Sequence, residues 1–344
     1  MKRLLVTGGA GFIGSHTCVT LLQAGFEIVV LDNFDNSSPV ALERVKELAG
    51  HDLQLVEGDI RNAACLHKLF KNAIVSGRPI EAVIHFAGLK AVGESVADPL
   101  RYWDVNVVGS RQLLAAMEAH HCRTMVFSST STIYGEPKTF PLVETMSPDP
   151  IHPYAQSKLA VEHMLTALGR NAPWRVAALR YFNPVGAHPS GHIGEDPLGI
   201  PNNLFPFITQ VASGRLDKLK IFGNDYPTPD GTGIRDYLHV MDLAEAHTAA
   251  LNYLLAAAAP TSFTLNIGTG KGLSVLEVVK GFEEATGVTI PYEIVERRPG
   301  DVPQLEGCPK QAAQVLGWRA KRGLAEMCRD GWGWQASNPE GYRC

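Results

Sequence analysis

Short, nearly unbroken apolar runs alternate with longer amphipathic segments through the first half of the chain. The runs Arg3–Thr7, Glu27–Leu31, Leu53–Glu57, Ala82–Phe86, Thr124–Ser128 and Arg175–Arg180 predict strands. The segments Ile13–Ala24, Val40–Ala49, Cys65–Val75, Arg101–His120 and Gln156–Leu168 carry apolar positions at helical spacing. Strands that are apolar on both faces and separated by helices build a parallel sheet covered on both sides. The expected fold is therefore α/β, a Rossmann-like doubly wound parallel sheet.

After Arg180 the texture changes. Asn183–Asn203 is rich in Gly, Pro and His and reads as a long loop, and Asn224–Gly233 as a second; loops of such length in a compact fold usually serve function. Helices are expected near Leu204–Ala212, Met241–Ala256, Leu276–Ala285 and Leu324–Gln335, and strands at Leu219–Phe222, Phe263–Ile267 and Tyr292–Val295. No linker or repeat separates the two textures. Residues 1–180 are expected to form a dinucleotide-binding domain and 181–344 a smaller C-terminal α/β substrate lobe, with some chain crossing back.

Composition narrows the class. The 344 residues are 45% hydrophobic and 19% charged, enough to bury a large core. A net charge of −4 argues against a nucleic-acid footprint. The most apolar stretch, Ala244–Ala259, is interrupted by Glu245, His247 and Asn252, so no membrane span is expected. Met1-Lys2-Arg3 runs straight into a strand and Gly8, which leaves no secretory h-region. Six cysteines without a C-x-x-C predict free thiols and a cytoplasmic protein. No metal is expected, because His188 and His192 lie on a Gly/Pro loop without a ligand array.

The strongest local motif is Gly8-Gly9-Ala10-Gly11-Phe12-Ile13-Gly14, which follows a strand and opens a helix. Gly8 allows the tight turn, Gly11 the approach of backbone to a pyrophosphate, and Gly14 close packing of helix on strand. Asp32 ends the second strand, where a carboxylate accepts from the adenine ribose, and Asn33-Phe34 supplies no arginine for a 2′-phosphate. NAD is favoured over NADP. Gly268-Thr269-Gly270-Lys271-Gly272 lacks the first glycine of a phosphate loop and the hydroxyl after the lysine, so it reads as a strand–turn.

Tyr154 and Lys158 stand four apart at a helix start, hence on one face. A tyrosine acting as base near neutral pH needs its pKa lowered by about 3 units, or about 4 kcal/mol. A nearby ammonium and a cationic nicotinamide ring supply charge of the right sign. The hydroxyl-rich segment Ser128–Gly135 follows the fifth strand, at the carboxyl end of the sheet where such folds bind ligands.

These motifs, with Asp59-Ile60 after the third strand and Phe86-Ala87-Gly88 after the fourth, resemble the extended short-chain dehydrogenase/reductase family. The resemblance implies that Asn33, Asn36, Asp59, Ile60, Phe86, Ala87, Gly88 and Lys90 contact NAD together with Gly8, Gly11, Phe12, Ile13, Gly14, Asp32, Tyr154 and Lys158. It makes Tyr154, Lys158 and Thr130 catalytic, with Ser131 as the second candidate. The family commonly reads S-S-S-A-T-V-Y-G here, so Thr130 stands for a serine and Ser131 for an alanine.

Within that family, Arg180–Gly191, Gly199–Leu204, Ile221–Tyr226, Asp230–Leu243 and Arg297–Asp301 resemble the nucleotide-sugar 4-epimerases, from Leu4 to Tyr342. That resemblance implies a UDP-sugar substrate and a homodimer through the helices near Arg101–His120 and Tyr154–Leu168. Arg235 and Arg298 would grip the diphosphate, and Asp301 would accept from the uridine ribose. Asn183, Asn203 and Leu204 would meet the substrate, Lys220, Ile221 and Phe222 the uracil, and Phe182 the nicotinamide. Taken singly, Arg235 equally suits an ion pair with Asp236 or Asp242. Leu305 aligns with the hexose-end residue and favours plain glucose and galactose over N-acetylated sugars.

The implied activity is interconversion of UDP-galactose and UDP-glucose by transient oxidation at sugar carbon 4, with tightly bound NAD and hydride return to the opposite face. The alternatives are a UDP-N-acetylglucosamine or dual-specificity epimerase and a non-catalytic NAD sensor, which would tend to lose the Tyr/Lys pair. A 4,6-dehydratase would need a carboxylate in Thr130-Ser131-Thr132, and a simple reductase would lack the arginine pair.

Overall fold

Strand and helix alternate from the first residues of the computed structural model, which describes residues 1–199, 201, 203–298 and 301–343. Ile200, Asn202, Pro299 and Gly300 of the substrate-side motifs, and Cys344, lie outside the described residues. The main sheet contains β1 (Arg3–Thr7), β2 (Glu27–Asp32), β3 (Gln54–Glu57), β4 (Ile80–His85), β5 (Thr124–Thr130), β6 (Arg175–Tyr181) and β10 (Thr261–Ile267). Its order is β10-β6-β5-β4-β1-β2-β3, and every pairing is parallel.

Both faces are covered, as continuous apolar strands require. On one side α1 (Phe12–Gln23), α2 (Pro39–Ala49) and α9 (Val240–Ala256) pack on Leu4, Val6, Val30 and Ile84. On the other, α3 (Ala63–Val75), α6 (Gly109–Ala119) and α7 (Pro153–Asn171) pack on Leu5, Val29, Val83 and Phe127. The strand order reverses between β1 and β4, and that switch point opens the crevice in which such folds bind ligands.

The second half builds a smaller sheet in which β9 (Ile234–His239) pairs with β7 (Asn183–Val185), β11 (Gly272–Ser274) and β13 (Gln304–Leu305). A parallel pair, β8 (Leu219–Phe222) with β12 (Tyr292–Val295), lies beside it. With α8 (Leu204–Ala212), α10 (Val275–Thr286) and α12 (Leu324–Ser337), these enclose a separate core around Phe205, Ile208, Ile221 and Phe282. β10 and α9 nevertheless belong to the first sheet and its cover, so the chain crosses back.

The expected helix over Arg101–His120 is present, its helical backbone running without a gap from Pro99 to Ala119 but π-wound at Trp103–Val108. α4 (Val92–Ala97) and α5 (Pro99–Tyr102) lead into a π-helical turn at Trp103–Val108 before α6 begins. Single π turns insert one residue into a helix and often mark functional sites. The long Gly/Pro loop contains β7, and β9 escaped prediction because Arg235, Asp236 and His239 disrupt any apolar run. α11 (Lys310–Leu316) also lay outside the predicted elements.

Candidate active site

The glycine turn is built as its spacing predicts. Gly8 has φ +71°, and a Cβ there would stand 2.6 Å from the Ala87 amide. A Cβ on Gly14 would stand 2.2 Å from the Gly8 carbonyl, so only glycine lets α1 pack this closely. No side chain caps α1. The first-turn amides of Phe12 and Ile13, which have no acceptor inside the helix, therefore face the crevice.

Asp32 is 7% exposed and accepts from the Ala10 amide at 2.9 Å, the Phe34 amide at 3.0 Å and Ser37 Oγ at 2.8 Å. Asn33 donates to Asp59 at 3.2 Å, which gathers the adenine-side candidates. Arg61 bonds the Asp59 carboxyl and holds it below the usual range. Asn36 is exposed nearby. The Ile60 side chain is buried in the core against Gly109, so only its backbone is left for a ligand. Phe86 rests on His247, with ring centroids 4.7 Å apart. Gly88 lies by Asn106 and the Lys158 ammonium. Lys90 is engaged by Glu195 at 2.9 Å.

These features fit NAD. The bare α-carbons and uncapped amides suit a pyrophosphate, and the cradled Asp32 carboxylate suits a ribose diol.

Thr130 ends β5, and Tyr154 starts α7, which His152 caps. The Thr130 hydroxyl is near enough to the Tyr154 phenol to act on its titration, and it bonds Thr132 Oγ1 at 3.0 Å. Burial pushes the Tyr154 phenol up, and the neighbouring Thr130 hydroxyl draws it down. Lys158 is 5% exposed, donates to the Ser128 carbonyl at 3.0 Å and lies 5.1 Å from the Phe127 ring centroid. Burial lowers its pKa to about 8. In the chain itself, then, Thr130 relieves the tyrosine, and Lys158 is turned to a carbonyl. Ser131 is buried, and of the two hydroxyls it is Thr130 that acts on the Tyr154 phenol.

On the substrate side Arg235 pairs with Asp301 at 3.8 Å. The partners its sequence also suited are otherwise engaged. Asp236 accepts from Thr269 and Gly270, and Asp242 binds Arg322. Arg298 stacks on Phe222 at 4.0 Å, while Arg297 pairs with Asp225 at 2.6 Å. In β8 the pleat sends Leu219 and Ile221 into the core and exposes Lys220, so Ile221 offers a base only its backbone. Asn183 opens β7, and Asn203 and Leu204 head α8.

Leu305, 7% exposed, sits opposite Arg235 and packs with Phe182, Ala155 and Val302. The Phe182 ring is framed by the bare α-carbons of Gly268 and Gly307; a Cβ on Gly307 would stand 2.2 Å from it.

Two positioning residues escaped the sequence reading. Asn106, in the π turn, accepts from the Leu89 amide at 2.8 Å and donates to Ser157 Oγ at 2.9 Å. It thereby ties the loop after β4 to α7. Glu162, one turn beyond Lys158, pairs with Arg180 at 2.6 Å and accepts from Ser129 at 2.5 Å. A polar residue at an apolar phase of its helix was the only available signal for either.

The family model described as GDP-mannose 4,6 dehydratase matches residues 5–331. The chain is 54% identical over 341 residues to the UDP-glucose 4-epimerase of Bacillus subtilis (strain 168), covering 99% of this chain and 98% of that protein. It is 51% identical over 346 residues to the bifunctional UDP-glucose 4-epimerase and UDP-xylose 4-epimerase 1 of Pisum sativum, covering 99% and 97%. The Stenotrophomonas maltophila UDP-glucose-4-epimerase structure, with bound NAD and formylated UDP-arabinopyranose, aligns with TM-score 0.95 at 46% identity, covering 98% of this chain and 99% of that one. The Bifidobacterium longum UDP-glucose 4-epimerase in complex with NAD+ and UDP aligns with TM-score 0.93 at 45% identity, covering 99% and 100%.

Proposed function

The chain belongs to the UDP-glucose 4-epimerases, inside the broader family that the GDP-mannose 4,6 dehydratase model describes, and from that premise we propose how its own residues carry the reaction. The activity is NAD-dependent 4-epimerisation of a UDP-hexose, interconverting UDP-galactose and UDP-glucose. The carrying observation is the Tyr154 phenol at the start of α7, influenced by the Thr130 hydroxyl and one helical turn from the buried Lys158.

When bound, NAD supplies reversible oxidation at sugar carbon 4, with the hydride returned to the opposite face. Gly8, Gly11, Phe12, Ile13 and Gly14 would hold its pyrophosphate, Asp32 its adenine ribose, and Asn33, Asn36, Asp59 and the Ile60 backbone its adenine. Phe86, Ala87, Gly88 and Lys90 would line its middle, and Phe182 would flank the nicotinamide. Tyr154 takes the proton from the sugar 4-hydroxyl and later gives it back, while Thr130 holds the same oxygen. Lys158 is protonated at neutral pH, since its pKa of about 8 lies above it. Its charge and that of the oxidised cofactor offset the burial that raises the Tyr154 phenol.

Arg235 and Arg298 hold the diphosphate and Asp301 the uridine ribose, so the sugar turns about a fixed anchor. Asn183, Asn203 and Leu204 complete the substrate contacts, and the open edge of β8 at Lys220–Phe222 meets uracil. Leu305 walls the hexose end with a buried apolar side chain, which suits plain hexoses over N-acetylated ones.

We assign residues 1–180 to the cofactor half and 181–344 to the nucleotide-sugar half. Val92, Val96, Leu100, Trp103 and Val108 are exposed along α4, α5 and the π turn, an apolar surface suited to a homodimer. The free thiols Cys18, Cys65, Cys122, Cys308 and Cys328 suit the cytoplasm, and no helix among the described residues is long and apolar enough to cross a membrane. Tyr154→Phe removes the base and leaves the cofactor contacts. Its turnover should fall by at least about 100-fold, the scale of general-base catalysis, with NAD still bound. An unchanged rate would refute the assignment.

A further inference from the structure

Glu195 lies in the Gly/Pro loop between β7 and α8, in the sequence Gly194-Glu195-Asp196-Pro197. Its backbone is fixed from the C-terminal segment. The Gly194 amide donates to Tyr342 Oη at 3.1 Å, and Trp334 Nε1 donates to the Glu195 carbonyl at 3.3 Å. The Tyr342 amide donates to Asp196 at 2.9 Å. Gly194 lies flat on the Trp334 ring, where a Cβ would stand 2.2 Å from its nearest atom. So anchored, the side chain is only 11% exposed.

One carboxylate oxygen serves two partners: Lys90 Nζ at 2.9 Å and Asn203 Nδ2 at 3.5 Å. Lys90 follows the Phe86–Gly88 loop of the cofactor crevice, and Asn203 stands just before α8, its side chain making no capping bond. We propose that Glu195 is a positioning residue that clasps the Lys90 ammonium and the Asn203 amide, joining the cofactor loop to the substrate lobe. The proposal rests on the reading of Lys90 and Asn203 as ligand residues.

An ordinary surface ion pair contributes little, because two long side chains must be ordered and water screens them. Here the carboxylate is nearly buried and its backbone already fixed, so less ordering is left to oppose the pair. An ammonium has three donors, and with one on Glu195 two remain for other acceptors. The clasp is in place before the substrate arrives and through turnover. Its loss therefore weakens binding uniformly, raising KM while leaving kcat in place.

The test uses the NAD-loaded full chain. UDP-galactose is titrated calorimetrically in the Tyr154→Phe background, and kcat and KM are measured with Tyr154 intact. Glu195→Gln keeps the shape and removes the charge; it should weaken binding and raise KM by about tenfold, with kcat within about twofold. Lys90→Gln removes the clasped ammonium itself and should weaken binding at least as much, and the double variant should bind no more weakly than Lys90→Gln alone. Unchanged binding in Glu195→Gln would overturn the proposal, as would losses that multiply in the double variant, the pattern of general structural damage. Wild-type protein that binds UDP-galactose without converting it refutes the epimerase reading alone, and wild-type protein that does not bind it refutes both.

Discussion

Lys158 carries its charge in a place that penalises it. Its ammonium is 5% exposed and rests on one carbonyl and one aromatic ring. The folded-state pKa is about 8, against about 10.4 in an unfolded chain. Below pH 8 both states hold the proton, and the full cost of burying the charge is present. Between about pH 8 and 10 the folded chain has lost a proton that the unfolded chain keeps, so this residue's contribution to stability rises with pH. Lys158→Met should thus be more stable than wild type at pH 7, by about 3 kcal/mol. That advantage should fade towards pH 10, and epimerisation should be lost. Denaturant unfolding of both proteins at pH 7, 9 and 10 measures it, and a difference independent of pH would contradict it. The Tyr154–Lys158 pair was legible in the sequence because both residues lie on one helix face. Asn106 was not: Leu89 and Ser157 stand 17 and 51 positions away, and only the fold brings them together.

Among the elements, α1 depends most on a single atom. Its first turn can approach the Gly8 carbonyl because Gly14 has no Cβ. Gly14→Ala should open the turn, release NAD during gel filtration and lower Tm. Full NAD retention at unchanged Tm would show that the close packing is not required. This element was readable because strand, glycine spacing and helix are contiguous. The π turn at Trp103–Val108 was not, since its residues have ordinary helix-forming character and the register change follows from packing against α7 and the loop at Leu89. β9 was hidden for a different reason. Its polar residues are each held by a partner: Arg235 faces Asp301, Asp236 holds the turn after β10, and His239 caps α9 and bonds Asp330.

At the scale of the whole molecule, the six sequence-predicted strands of the first half stand where expected, and the seventh arrives from Thr261–Ile267. Strand order could not be read from local pattern, because parallel neighbours are chosen by long crossovers. The substrate lobe was legible as motifs more than as elements, since β11 and β13 are only three and two residues long. The start of α7 meets β13 in one apolar cluster, where Ala155, Phe182, Val302 and Leu305 pack together. A 4-epimerase restores its cofactor in every turnover, so tight retention of NAD carries no kinetic penalty, unlike in a dehydrogenase that must release NADH. The direct test is to incubate the purified chain with UDP-galactose, without added cofactor, and follow the anomeric proton signals by NMR. Conversion to a mixture of UDP-glucose and UDP-galactose is the predicted result. A UDP-galactose spectrum that stays unchanged even after NAD is added would contradict it.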